Sequence, residues 1–122
     1  MGYHAITVDE LSATPDRPCE RRAISDAAEL ESANINRYDV APGEQIPLAY
    51  HYHDEQEELF YVLSGTLSVE TPEGEYTIDA DEVFIAEPDS PHRAYNPDEA
   101  EETVRVLAIG APPLDDVHPY EP

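Results

Sequence analysis

The sequence predicts an all-β fold, either a barrel or a sandwich of two sheets. Twelve prolines and five glycines divide the 122 residues into short pieces, and no long segment spaces its apolar residues three and four apart as a helix does. Strand-like runs alternate instead with turn-forming residues. Eight short strands spaced in this way are typical of barrels and sandwiches. The predicted strands are 33–40, 48–53, 58–63, 66–71, 75–78, 83–86, 92–95 and 103–109.

The predicted strands define one domain with a segment on either side. Residues 33–111 form the barrel, and residues 26–33 could form one helical turn, with no longer helix expected. Residues 1–32, with the basic trio Arg17, Arg21 and Arg22, are expected to be an arm that pairs with the barrel or with a second subunit. Residues 112–122 hold four prolines and are expected to lie over the surface as a strap. A chain of this length buries about two thirds of its unfolded surface, so it needs no structural metal.

The charge of the chain is strongly negative. It has 28 Asp and Glu against six basic residues, all of them Arg, and a formal net charge of −22. Such a surface repels nucleic acids and anionic membranes, which bind through cationic side chains, so both are excluded as partners. Because concentrated salt screens this self-repulsion, the composition indicates a halophilic source.

The cysteine content and the N-terminus indicate a cytoplasmic protein. Cys19 is the single cysteine and cannot form an internal disulfide. The N-terminus lacks the basic and apolar leader of a secreted protein. No apolar run approaches the length that spans a bilayer, so a soluble protein is expected.

Two histidines one residue apart provide the first sign of a metal site. On a strand, residues two apart point to the same face, so His51 and His53 project together while Tyr50 and Tyr52 point the other way. Their Cα atoms lie about 6.6 Å apart, and two imidazoles can converge from there on one ion about 2.1 Å from each nitrogen. The pair is therefore a candidate bidentate metal ligand.

A carboxylate and a third histidine complete the candidate site. Glu58 begins an apolar strand on the same face as Phe60 and Val62, so it is expected to be a buried carboxylate that needs a cation. His92 opens a later strand, with the small Ala94 next on its face. Three imidazoles and one carboxylate suit Fe, Mn, Ni, Cu, Co or Zn, whereas Ca and Mg prefer oxygen ligands.

These residues resemble the two motifs of the cupin superfamily. The first motif is carried by GEQIPLAYHYHDEQEELFYVLSG, residues 43–65, and the second by PHRAYN, residues 91–96. The resemblance covers about residues 38–109. It implies a jelly-roll barrel, also called a double-stranded β-helix, in which one metal is bound inside the barrel. The residues at the four ligand positions are His51, His53, Glu58 and His92.

The second motif departs from the family pattern in its turns. Asp81 stands where the motif usually begins with Gly, and Glu87 and Asp89 stand where it carries Pro and Gly. Because Asp tolerates a left-handed backbone better than most residues, the turns are expected to survive these changes.

Three functions remain open at this stage. The resemblance implies a small metalloenzyme acting on a small organic or sugar-like substrate, as a dioxygenase, decarboxylase or isomerase. The alternatives are a non-catalytic ligand-binding or sensory module and a structural barrel with an incidental metal. Related barrels are often dimers, so a homodimer is expected.

Some chemically capable residues are expected to have ordinary roles. Arg93 should face away from the metal in a surface ion pair, and Cys19 has no histidine nearby in the sequence to activate it. His4 and His118, in the terminal segments, should be solvated.

Overall fold

The computed structural model describes residues 2–122. A 3-10 turn spans Val8–Glu10 and a short helix, α1, spans Ile24–Ala28. No helix within the described range is long and apolar enough to cross a membrane. The strands are β1 (Glu20–Ala23), β2 (Asn34–Val40), β3 (His51–His53), β4 (Glu57–Ser64), β5 (Thr66–Thr71), β6 (Gly74–Asp79), β7 (Val83–Ala86), β8 (Arg93–Tyr95), β9 (Val104–Ala111) and β10 (Val117–Pro119).

The strands form two antiparallel layers. The first is a five-stranded sheet in the order β1-β2-β9-β4-β7, and the second contains the sheets β6-β5-β8 and β10-β3. The two parts of the second layer are joined at His51 and His92. The N–H of His92 donates to the carbonyl of His51 at 2.9 Å, and the N–H of His51 donates to the carbonyl of His92 at 3.3 Å. The all-β prediction is confirmed.

The core lies between the two layers and follows the alternation of the strands. In β9 every second residue is buried, from Val104 to Gly110. Phe60 and Val62 of β4 pack there against Leu67 and Val69 of β5. The period of two therefore gives one apolar face to each layer, as the sequence predicts.

Four elements differ from the sequence prediction. The predicted strand 48–53 is regular only over His51–His53, and residues 48–50 before it form bends. The helix lies at Ile24–Ala28, earlier than residues 26–33. Strands β1 and β10 were not predicted: β1 pairs with β2, and β10 pairs with β3. The division into arm, barrel and strap as domains stays a prediction.

The turns of the second motif keep the left-handed backbone. Asp81 has φ 69° and Asp89 has φ 62°, so aspartate occupies both positions as expected.

The turn that ends the first motif requires glycine. Gly65, between β4 and β5, has φ 80°, and a Cβ there would lie 2.7 Å from Cγ2 of Val104. Only glycine fits this turn without displacing the core.

Candidate metal centre

His51 and His53 lie on β3 and face the space between the layers. Both are buried, with 7% and 6% of their surface exposed. On the opposite face of the strand, the rings of Tyr52 and His118 stack with centroids 5.2 Å apart. Since β10 pairs with β3 and places His118 beside Tyr52, the C-terminal segment extends this sheet while the two imidazoles point inward.

Glu58 lies opposite them on β4, at the end of the apolar row that includes Phe60 and Val62. Its side chain is 19% exposed, and Oε1 lies 3.7 Å from Nε2 of His51, 3.5 Å from Nε2 of His53 and 2.7 Å from Nε2 of His92. Burial raises the pKa of this carboxyl, but its contacts with the three histidines outweigh burial and hold the pKa well below its usual range. Glu58 is therefore an anion at neutral pH.

His92 reaches the same carboxylate from the start of β8 because of its backbone pairing with His51. It is 1% exposed. The ring centroids of His51 and His92 are 4.9 Å apart. Two residues from distant parts of the sequence thus meet inside the barrel.

The far nitrogen of each imidazole is held by an oxygen. Nδ1 of His51 lies 2.9 Å from the carbonyl of Ala49, and Nδ1 of His92 lies 2.8 Å from the carbonyl of Ser90. Nδ1 of His53 lies 2.9 Å from Oδ1 of Asp116. Because carbonyl and carboxylate oxygens only accept, Nδ1 is the donor in all three rings. In the neutral tautomer Nε2 then carries the lone pair, which is the arrangement of metal-bound histidines.

The distances from Glu58 to the three histidines are close to those expected between ligands of one transition-metal ion. Ligands about 2.1 Å from an ion lie about 3.0 Å apart in adjacent octahedral positions and about 3.4 Å apart in a tetrahedron. The distances of 2.7, 3.5 and 3.7 Å around Oε1 of Glu58 bracket these values. Nε2 of His53 is buried and has no hydrogen-bond partner among the described residues. An ion would supply that partner.

His51, Glu58 and His92 form the tightest group. Their ligand atoms all lie within 4.8 Å of one another, so these three residues could hold a metal ion. His53 contacts this group through Glu58 and lies farther from His92, with ring centroids 6.4 Å apart. The pKa of His53 is raised overall, because its contacts with Glu58 and, to a lesser extent, Asp116 outweigh the effect of burial, which lowers it. Whether His53 joins the other three as a ligand stays a prediction.

The sequence analysis missed Asp116, which is a second contact for His53. Its Oδ2 accepts from the backbone N–H of Glu55 at 2.7 Å and of Gln56 at 3.2 Å, while Oδ1 meets the imidazole. Burial raises the pKa of Asp116, but these backbone N–H groups and His53 lower it to about 2. One acidic residue among 28 in the chain gives no local signal of this role.

An open cavity of about 330 Å³ adjoins the site. Its walls include His53 and Glu58, together with Ala108 and Gly110 of β9, which leave room because they have little or no side chain. Gly110 is paired with Glu58 across the sheet. A larger cleft of about 640 Å³ between β6 and β7 meets only His92 of the four candidate ligands. The smaller cavity is therefore the one that exposes the carboxylate.

The remaining candidate residues lie away from the centre. Arg93 pairs with Glu70, and Cys19 is buried, which raises the pKa of its thiol to about 12. His4 is exposed. His118, expected to be solvated, is 44% exposed and contacts Asp54 at 2.6 Å.

Comparison with known proteins identifies the fold. The family model described as the cupin domain matches residues 36–110. No curated protein matches the sequence. A sugar phosphate isomerase of the cupin superfamily from Silicibacter pomeroyi superposes with a TM-score of 0.74 at 21% identity, over 88% of this chain and 75% of that chain.

Two further structures are similar over nearly the whole chain. The polyketide cyclase RemF from Streptomyces resistomycificus has a TM-score of 0.81 at 17% identity, over 99% of this chain and 87% of that chain. A protein with a double-stranded β-helix domain from Klebsiella pneumoniae has a TM-score of 0.76 at 21% identity, over 99% of this chain and 100% of that chain. The predicted double-stranded β-helix is confirmed, and the chain belongs to the cupin-domain family.

Proposed function

We propose that this cupin is a small metalloenzyme acting on a small organic or sugar-like substrate. The ligands would be His51, His53, Glu58 and His92, and the metal would be Fe, Mn, Ni, Cu, Co or Zn, which suit imidazole ligands. When bound, such an ion supplies Lewis acidity that polarises a substrate oxygen. Isomerase, decarboxylase and dioxygenase chemistry are the reaction types we consider.

The orientation of the three imidazoles is the observation that carries the proposal. Each ring uses Nδ1 to donate to an oxygen of the protein, and each turns Nε2 toward one oxygen of Glu58. A histidine that served only packing would have no reason to share this geometry with two others. A buried nitrogen without a hydrogen-bond partner lowers the stability of the fold. Among the described residues, Nε2 of His53 is such an atom.

The cavity supports a function that involves a ligand. A structural barrel would fill the space beside Glu58 with side chains, whereas a cavity of about 330 Å³ opens there. This volume lies at the lower end of small-molecule sites. The similarity to an isomerase and a cyclase is consistent with small substrates but does not select one.

The chain also supplies a polar group to the cavity. Tyr38 of β2 lines it, and burial raises the pKa of the hydroxyl. The hydroxyl therefore stays protonated at neutral pH and can donate a hydrogen bond to a substrate oxygen. Phe60 and Val62, buried beneath the site, exclude water from its inner side.

Metal analysis of variants tests the proposal. Protein purified without added metal should contain about one transition-metal ion per chain. His51→Ala and His92→Ala should lose it while keeping the β-sheet circular dichroism spectrum. His118→Ala is the matched control, since this histidine lies outside the site and should leave the metal content unchanged. Retention of the ion by both site variants would contradict the proposed ligands.

Activity assays on the metal-loaded protein then separate the functions. Turnover of a sugar phosphate, decarboxylation of a small organic acid or dioxygen uptake would support an enzyme and identify its reaction type. Tight ligand binding without turnover would instead identify a non-catalytic binding or sensory module.

A further inference from the structure

Within residues 2–122, two of the six arginines lack an acidic partner although the protein has a large excess of acidic residues. Arg22, Arg37, Arg93 and Arg105 each lie within 4.0 Å of a carboxylate. Arg17 and Arg21 form no ion pair with any residue from 2 to 122. With 28 Asp and Glu in the chain, a guanidinium without an acidic partner is unexpected unless its position keeps it from them.

Both of these arginines line the cavity beside the metal centre. The N-terminal segment brings them there: β1 pairs with β2 so that Arg21 lies directly opposite Tyr38. Residues paired across two strands share a face, and Tyr38 faces inward. Arg17 is anchored nearby, since its Nη2 donates to the carbonyl of Ile46 at 3.1 Å. The same cavity contains Glu58 and His53.

Several polar atoms around this part of the cavity have no hydrogen-bond partner among the described residues. Nε of Arg17, Nε of Arg21 and Oδ1 of Asn36 are buried without a hydrogen bond within the described part of the chain. Asn36 is only 8% exposed and also lines the cavity. Polar groups left unpaired in this way reduce stability. The Nε–H groups of the two arginines lack an acceptor, whereas Oδ1 of Asn36 lacks a donor and could not be satisfied by an oxyanion.

The electrostatics of Tyr38 support the closeness of these groups. Burial is the largest influence on its pKa and raises it, the charges of Arg17 and Arg21 lower it, and the charge of Glu58 raises it. The Tyr38 hydroxyl therefore lies close enough to Arg17, Arg21 and Glu58 for the charge of each to affect its pKa. The exposed Asp115 also lines the cavity but lies more than 4.0 Å from either arginine.

We propose that Arg17 and Arg21 bind the oxyanion group, carboxylate or phosphate, of a small ligand in the cavity beside Glu58. This inference rests on the proposed function for the other end of the ligand, where an oxygen would face the metal centre. Guanidinium groups bind carboxylate and phosphate through paired N–H donors. The ligand is therefore a small organic acid or a phosphorylated compound, and a neutral sugar would leave both charges unpaired.

The test measures anion binding to the Zn²⁺-loaded protein at fixed ionic strength. Lactate and inorganic phosphate are the two anionic probes, and lactamide is the neutral counterpart of lactate. Arg21→Gln and Arg17→Gln should each weaken binding of at least one anion about tenfold or more. Arg22→Gln removes the same charge from the neighbouring, ion-paired position and should change affinity less than about twofold.

The anion that depends on the two arginines identifies the chemistry. A loss with lactate indicates a carboxylate ligand, and a loss with phosphate indicates a phosphorylated one. The inference is overturned if Arg17→Gln and Arg21→Gln bind both anions as tightly as Arg22→Gln does. It is also overturned if the neutral lactamide loses as much affinity in these two variants as the anions do.

The wild-type protein provides a measurement that does not depend on whether the variants fold. Its arginine Nε–H signals can be followed by NMR during titration with either anion. Two of the six signals, those of Arg17 and Arg21, should shift and saturate. Equal shifts of all six would indicate only a general ionic effect and would overturn the inference.

The same experiments distinguish failure of this inference from failure of the metal site. If the protein binds Zn²⁺ but neither arginine affects anion affinity, the metal site stands and the anion site is wrong. If the protein does not bind Zn²⁺ but its metal-free form binds an anion through Arg17 and Arg21, the anion site stands and the proposed metalloenzyme is wrong.

Discussion

Replacing Asp116 by asparagine tests how the C-terminal segment supports the metal centre. Its carboxylate orients His53 through Nδ1 and accepts two backbone N–H groups, those of Glu55 and Gln56. The asparagine side chain would have nearly the same shape but only one accepting oxygen. In Asp116→Asn, therefore, at least one of the three donors would face the amide NH₂ instead of an oxygen.

The structure gives the size of the effect. A pKa lowered from 3.8 to about 2 corresponds to at most about 2.5 kcal/mol of stability at neutral pH, which solvent screening reduces to about 1–2 kcal/mol. Because the pKa is lower in the folded state, this stabilisation is fully present above about pH 3.8 and disappears as the pH falls toward 2. Loss of a residue that orients a metal-bound histidine typically weakens metal binding by about tenfold to a hundredfold.

Two measurements check this prediction. Competition with a chromogenic chelator for Co²⁺ gives the metal affinity, and urea unfolding of the metal-free protein at pH 7 and pH 2 gives the stability. Glu121→Gln is the control, since it removes one charge from the same C-terminal segment at an exposed position. Equal Co²⁺ affinity in Asp116→Asn and Glu121→Gln would refute the role of Asp116 in orienting His53.

Three further predictions concern the thiol, the cavity wall and the charge. Burial raises the pKa of the Cys19 thiol to about 12. The native protein should therefore not react with a disulfide reagent at pH 8, whereas the urea-unfolded protein should. Rapid reaction of the native protein would contradict this burial. A Cβ at Gly110 would lie 2.7 Å from Cδ of the buried Gln56. Gly110→Ala should therefore lower the free energy of unfolding by about 1–3 kcal/mol, measured by urea unfolding. An unchanged urea midpoint would show that Gln56 moves freely. The net charge of −22 predicts a higher melting temperature in about 2 M NaCl than in about 0.1 M, and no increase would argue against a halophilic source. The cytoplasmic location and the homodimer also stay predictions.

The pattern of residues along the chain was sufficient to predict the fold class and to single out the candidate metal ligands. Alternation of apolar and polar residues has a period of two wherever one face of a strand is buried, so β2, β4, β5 and β9 could be read from it. The pair His51 and His53 is separated by the same period, which fixes their common direction on any strand. The spacing of residues along the chain therefore predicts both the strands and the common direction of the two histidines.

The surroundings of those residues could not be predicted from the sequence and are known only from the folded structure. Asp116 contacts His53 across 63 positions of sequence, and Arg21 reaches the cavity because β1 adds to the edge of β2. Neither contact has a local pattern: Asp116 is one of 28 acidic residues, and β1 is a charged segment of four residues. Contacts between distant segments depend on how the layers pack, and that packing decided which carboxylate holds His53 and which arginines enter the cavity.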